Sequence, residues 1–277
     1  MMRTTIALRL YAGLLIGCCT LSAPRASSQD LGNKKALLGQ ARQSYYNLRD
    51  QGLASFQCST TPNWEVLLHD ELKTNPDGAG AAIKTLSQIR FTTSLAADNS
   101  VKLTHNDLPG QSQQMMDALR QIYGGMEQMT SGFFDTWKLF MLSPPFPEVG
   151  SQYRLEPVGS QYRLTYKDGP ADVVTTMGRD FAITNLQVTT PDFSSSIQPT
   201  FSRTSQGWRL NGYEANYQSQ KPEEATHLKV LMDYQDVEGL AILKKLYLSG
   251  SYGGSPFAVE LAFDGCQVTK KQSTALR

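Results

Sequence analysis

Thr226-His227-Leu228-Lys229-Val230-Leu231-Met232-Asp233-Tyr234-Gln235-Asp236 sets Leu228, Val230, Met232 and Tyr234 on one side of an extended chain, with Lys229 and Asp233 on the other. Successive side chains of a strand point to opposite faces, so this period of two describes a strand with one buried and one wet face. Phe257, Val259, Leu261 and Phe263 repeat the pattern against Glu260 and Asp264. Between and before these two runs, 161–166, 171–177, 181–189, 198–204, 208–217 and 241–248 also read as strands, separated by short Gly, Pro, Asp or Ser turns. Consecutive strands with no helix between them predict an antiparallel meander with one apolar face to be covered.

The cover is predicted immediately upstream. Between Gln111 and Leu142, Met115, Leu119, Ile122, Met126, Met129, Phe133, Trp137 and Phe140 recur every three or four residues, the spacing of an amphipathic helix. Gly124-Gly125 and Gly132 are places where it could kink or divide, and Ser143-Pro144-Pro145-Phe146-Pro147 ends it. Five of the nine methionines, Met115, Met116, Met126, Met129 and Met141, lie on this stretch. Flexible thioethers suit either an ordinary core or a wall that repacks around varied apolar guests. Further upstream, a helix is predicted over Lys34 to Leu48, ended by Asp50-Gln51-Gly52. A strand Leu53 to Ser59 follows, then helices opening at Pro62 and near Ala79, and two strands, Arg90 to Ala96 and Val101 to His105, joined at Asp98-Asn99-Ser100.

Residues 1–28 have the layout of a secretory signal: Arg3 and Arg9, the apolar run Leu10 to Leu21, then Ala26-Ser27-Ser28 before Gln29. The run is shorter than the roughly 20 residues that span a bilayer. A second reading takes Leu15-Ile16-Gly17-Cys18 as a lipoprotein signal, with Cys18 acylated and the chain tethered to a membrane. After ordinary cleavage Cys58 and Cys266 remain, one from the first strand and one from the last. In an oxidising compartment they predict a disulfide tying the ends of the fold together; two unrelated buried thiols are the alternative.

The 26 basic and 25 acidic residues give a formal charge of +1. Loss of Arg3, Arg9 and Arg25 with the signal, and of no acid, makes it −2. No segment has more than two adjacent Lys or Arg, so nucleic acid is not an expected partner. His69, His105 and His227 are far apart, and there is no HExxH, no CxxC, no EF-hand spacing and no GxSxG, so neither a metal, a cofactor nor a catalytic group is predicted. Gly250-Ser251-Tyr252-Gly253-Gly254 leads into a strand, as a hairpin turn does and a phosphate cradle does not. Val149-Gly150-Ser151-Gln152-Tyr153-Arg154-Leu155 returns as Val158-Gly159-Ser160-Gln161-Tyr162-Arg163-Leu164, a local duplication read as neighbouring edge segments.

An export signal, a helix ending Tyr45-Tyr46-Asn47-Leu48, the strand Ala54-Ser55-Phe56-Gln57, helical insertions and a long meander together resemble the periplasmic outer-membrane lipoprotein carrier (LolA-like) family. Ile197 to Phe201, Gly207 to Tyr213 and Met232 to Leu240 are similar to sheet segments of that class. The resemblance implies an α+β fold over 29–277: a strongly curved antiparallel sheet, an incomplete barrel, whose concave face is covered by helices; the helical insertion over 62–147 is a departure that makes this chain longer than the usual carrier. It also implies an acyl-chain or lipoprotein ligand and an Arg near the cavity mouth, for which Arg90 is the nearest candidate; a monomer is the expected state. On this basis Met115, Leu119, Ile122, Met126, Met129 and Phe133 are expected to line one wall, and Val230, Met232, Val259, Leu261 and Phe263 the facing sheet. The rival is a non-catalytic envelope scaffold that holds a protein by its sheet edge or loops.

Overall fold

The computed structural model describes residues 28–110, 112–148, 150–221 and 225–271, with side chains from residue 33 onward. The predicted export signal, Cys18 included, lies outside the described residues save for Ser28. The elements run α1 (Ser28–Gln43), β1 (Leu53–Pro62), α2 (Trp64–Leu67), α3 (His69–Thr74), α4 (Pro76–Leu86), β2 (Phe91–Leu95), β3 (Val101–His105) and α5 (Gln113–Met141). Strands β4 (Tyr153–Val158), β5 (Gln161–Asp168), β6 (Ala171–Gly178), β7 (Ile183–Thr189), β8 (Phe193–Thr204), β9 (Gly207–Ser219), β10 (Thr226–Val237), β11 (Leu240–Tyr252) and β12 (Ser255–Lys270) complete the chain.

The described strands form one antiparallel sheet in the order β3-β2-β1-β12-β11-β10-β9-β8-β7-β6-β5-β4, not closed into a barrel. The meander from β4 to β12 is therefore unbroken, and β1 joins the last strand, as the cysteine positions anticipate. The duplicated segments supply β4, at the edge, and β5 beside it.

One face is covered by α5, a single helix of 29 residues with no division at its glycines. Ser112 caps its first turn, its side chain accepting from the Met115 N–H, and Pro144 and Pro145 bar its continuation. Trp137 is fully buried, edge-on to Phe56 of β1 and Phe134, and its indole Nε1 donates to the Tyr234 hydroxyl of β10 at 3.2 Å. Phe140 meets Phe201 of β8, and Thr136 shares a hydrogen bond with Tyr217 of β9.

The helix predicted over 34–48 stops at Gln43 because the backbone after it finds a better use. β10 pairs with β9 only as far as Leu231↔Gly212. Beyond that point Ser44–Tyr46 takes the vacated edge of β9: Trp208 N–H donates to Ser44 O at 2.7 Å and Tyr46 N–H to Trp208 O at 2.9 Å, a short parallel bridge. Gly207, with φ +114, is required there, since a Cβ would stand 2.5 Å from Ser44 O. The freed β10–β11 tip is tied down by the Ala241 N–H, which donates to the Tyr46 hydroxyl at 2.9 Å.

β12 carries the device that lets the cysteines meet. Val259, Leu261 and Phe263 face the core on odd positions, and Gly265 would follow them. Instead the register slips between Gln57↔Gln267 and Ser59↔Asp264, so Cys58 stands opposite both Gly265 and Cys266. Gly265 takes φ +57, the left-handed conformation of a glycine bulge, which turns Cys266 toward Cys58. The two form a disulfide with Cα atoms 4.1 Å apart, closing a sequence separation of 208 residues. So long a loop makes the crosslink a large constraint on the unfolded chain. Reduction, or the double substitution Cys58→Ala/Cys266→Ala, is expected to cost about 2–5 kcal/mol of unfolding free energy. Urea titrations with and without reductant read this directly, and a midpoint shared by both would show that the bond carries no stability.

Candidate functional site

Beyond the C-terminal end of α5 the sheet continues through β7, β6 and β5, and its apolar face there meets a different cover. Tyr166, Val173 and Val188 are cross-strand neighbours in one row, with Leu164, Thr175 and Leu186 in the next. Facing them are the last turn of α5, through Leu139 and Leu142, and the strap Ser143-Pro144-Pro145-Phe146-Pro147-Glu148. Between strap and sheet lies a groove of about 760 Å³, inside the range of roughly 300–1,000 Å³ typical of small-molecule sites. Its walls are mainly aliphatic, prolyl and aromatic, with Asn99, Ser143 and Ser151 among them. The charged side chains around it, Asp135, Lys138, Glu148, Lys167 and Asp168, stand on its rim, and Asp135 pairs with Lys138 at 2.8 Å.

The strap is held by three kinds of contact. Phe146 is buried and packs edge-on against Tyr45, with ring centroids 5.6 Å apart. The Arg42 guanidinium of α1 donates from Nη2 to Phe146 O at 3.2 Å and also to Pro147 O. The Tyr166 hydroxyl donates to Pro145 O at 3.3 Å. Prolines suit this segment because they give up no N–H and have little conformational freedom to lose. Burial pushes the Tyr166 phenol up to about 12, with Asp168 adding to the rise and Arg42 opposing it. The groove wall therefore stays uncharged at neutral pH and the phenol keeps its proton to donate.

The residues that the sequence placed around a cavity occupy another part of the same core. Leu119, Met126, Phe133, Val230, Met232, Val259, Leu261 and Phe263 are buried in one packed cluster, and Ile122 and Met129 are partly buried against it. Met115 is 38 % exposed and is not part of that cluster. Arg90 is exposed ahead of β2, where its backbone N–H donates to Asn106, and it is not among the groove residues. Sequence reasoning missed the strap, which it used only as a helix stop. The signal available was the pairing of prolines with a buried aromatic, Phe146.

A second cleft, of about 430 Å³, opens where β10 leaves β9. Arg209, Asn211, Met232, Asp233, Tyr234, Lys244 and Lys245 line it, so Met232, expected on a cavity wall, borders this cleft, and the Arg209 guanidinium lies over the Tyr234 ring at 5.1 Å. Its polar, cationic lining is unlike that of the groove. Among the described residues no group of three or more His, Cys, Asp or Glu is placed to hold a metal ion, and no helix is long and apolar enough to cross a membrane. Searches for similar proteins found no family model, no curated protein and no solved structure that matches the chain.

Two outcomes test this geometry. Arg42→Met keeps the aliphatic stem but removes the donors to two carbonyls, and should lower stability by about 1.5–3 kcal/mol while speeding proteolysis within 143–148; cleavage at the wild-type rate would show that Arg42 does not hold the strap. Burial also raises the phenol pKa of Tyr45 and Tyr234, as it does that of Tyr166. A raised folded-state pKa gives stability that is intact below the unfolded value of 10.0 and is lost as pH climbs toward about 12. Unfolding free energy should thus be unaffected by these tyrosines up to pH 10 and then fall by on the order of 1 kcal/mol per pH unit for each of them. Denaturation series from pH 8 to 11.5, with phenolate absorbance followed in parallel, would expose tyrosines that ionise normally.

Proposed function

We propose that the protein is an exported, non-catalytic carrier of the bacterial cell envelope that holds acyl chains, free or on a lipoprotein, in the groove beneath the proline strap. The observation that carries this reading is the groove itself: an apolar row of the sheet left beyond the end of α5, roofed by prolines and rimmed by charge. Each methylene moved from water into such a site contributes roughly 0.8 kcal/mol, so affinity needs no reacting group and tolerates chains of different length. The disulfide is compatible with an oxidising space such as the periplasm. Cleavage of the signal near Gln29 would release the domain into that space, whereas acylation at Cys18 would tether the same domain to a membrane.

The kinship we favour is with the lipoprotein carriers, and with it an incomplete barrel as the form of the sheet. One helix meeting strands four apart in the sheet order, through Phe56 of β1 on Trp137 and Tyr217 of β9 on Thr136, is the arrangement expected of a helix lying on a concave face.

Native mass spectrometry with organic extraction, on protein purified from a bacterial periplasm without detergent, tests the proposal. A co-purifying lipid, or uptake of added palmitate, is the expected result. Leu139→Asp should then weaken palmitate binding by roughly tenfold or more while leaving the fold intact, since Leu139 is 40 % exposed. A clean apo mass with no uptake of fatty acid or phospholipid would overturn the carrier and favour the envelope scaffold.

A further inference from the structure

The duplicated heptapeptide does more than lengthen the sheet. β4 pairs with β5 through Leu155↔Leu164, Glu156↔Arg163, Pro157↔Tyr162 and Val158↔Gln161. By the nine-residue repeat, Leu164, Arg163, Tyr162 and Gln161 are the counterparts of Leu155, Arg154, Tyr153 and Gln152. Putting each counterpart in place gives Leu155 opposite Leu155, Glu156 opposite Arg154, Pro157 opposite Tyr153 and Val158 opposite Gln152. That set maps onto itself under a two-fold rotation about Leu155. Antiparallel pairing of β4 with the β4 of a second copy would therefore give, throughout, the side-chain neighbours of a hairpin this chain already forms.

We propose that β4 is a self-association edge, joining two copies of the chain strand to strand about a two-fold axis at Leu155. Among the described residues no strand lies on its outer side, and an unpaired strand edge is a template for another chain. Such an interface is isologous, and a closed dimer is its product. Charge fits as well as register. Arg154 and Glu156 pair with each other along one strand, at 2.7 Å and largely in solvent. In the dimer each Arg154 faces a Glu156 of the second copy, at two symmetric positions, as Glu156 already faces Arg163 within the chain. Pro157 has no N–H, and strand prolines turn their nitrogen to the unpaired side. The shared ladder is consequently short and the dimer reversible, of the weak class that small interfaces form.

Sedimentation velocity on the secreted, processed protein across a wide concentration range tests this. The wild type should move from monomer toward twice that mass as concentration rises. Arg154→Glu sets like charges opposite at both positions and should raise the dissociation constant roughly tenfold or more. Arg154→Glu/Glu156→Arg restores opposite charges and should recover association. Circular dichroism melts confirm that each variant is folded, and amide exchange of 153–158 in the wild type should slow as concentration increases. A protein monomeric at every concentration overturns the proposal. So does a dimer indifferent to Arg154→Glu, or a folded double variant that stays monomeric.

Discussion

One contact organises the rest: the seating of Trp137 between Phe56 of β1 and the Tyr234 hydroxyl of β10. A sheet with a single apolar face is unstable until that face is covered, and the burial of large aromatic side chains is the strongest local driving force available for covering it. The indole fills the core with its ring and satisfies its one donor on a tyrosine, so its N–H is not stranded. The seat also sets where α5 lies. With Phe134 and Phe140 on either side of Trp137, the helix is fixed against β1 and β8, and the strands beyond β8 are left to another cover.

The groove is a consequence of that placement. Because α5 is stopped by Pro144 and Pro145, the apolar rows of β5, β6 and β7 are roofed by a strap with no helix of its own. A strap makes fewer contacts than a helix, and Arg42, Tyr45 and Tyr166 compensate by pinning three of its residues. What results is a groove that stands open between strap and sheet, and on the proposed reading such preorganisation would lower the cost of binding a flexible apolar chain.

Much of the fold was legible because period-two patterns survive in the sequence wherever one face is wet. Leu228 to Tyr234 and Phe257 to Phe263 locate β10 and β12, and the three- and four-residue spacing from Leu119 to Phe140 locates α5. Three features were not legible for physical reasons. Tyr45 to Leu48 keep helical spacing, but the backbone of Ser44–Tyr46 is captured by Trp208, more than 160 residues away, and local periodicity cannot register a distant edge. Gly265 shifts the inward face of β12 from odd to even positions, visible only once Cys266 and Val268 are seen to continue the core. The stripe on α5 tells which side is buried, as Leu119, Met126 and Phe133 show, but not whether a buried side faces packed atoms or a cavity. Phe134, fully buried and outside the predicted stripe, shows the core reaching further round the helix than the pattern suggested.

Hydrogen–deuterium exchange with and without a saturating C16 fatty acid tests most directly where a ligand sits. An acyl chain in the groove would slow exchange in the strap, the last turn of α5 and the paired rows of β5 to β7, and leave the first half of α5 and β10 to β12 unchanged. Protection centred on Met126, Met129 and the β10–β12 face instead, or no protection at all, would contradict a ligand site beneath the strap.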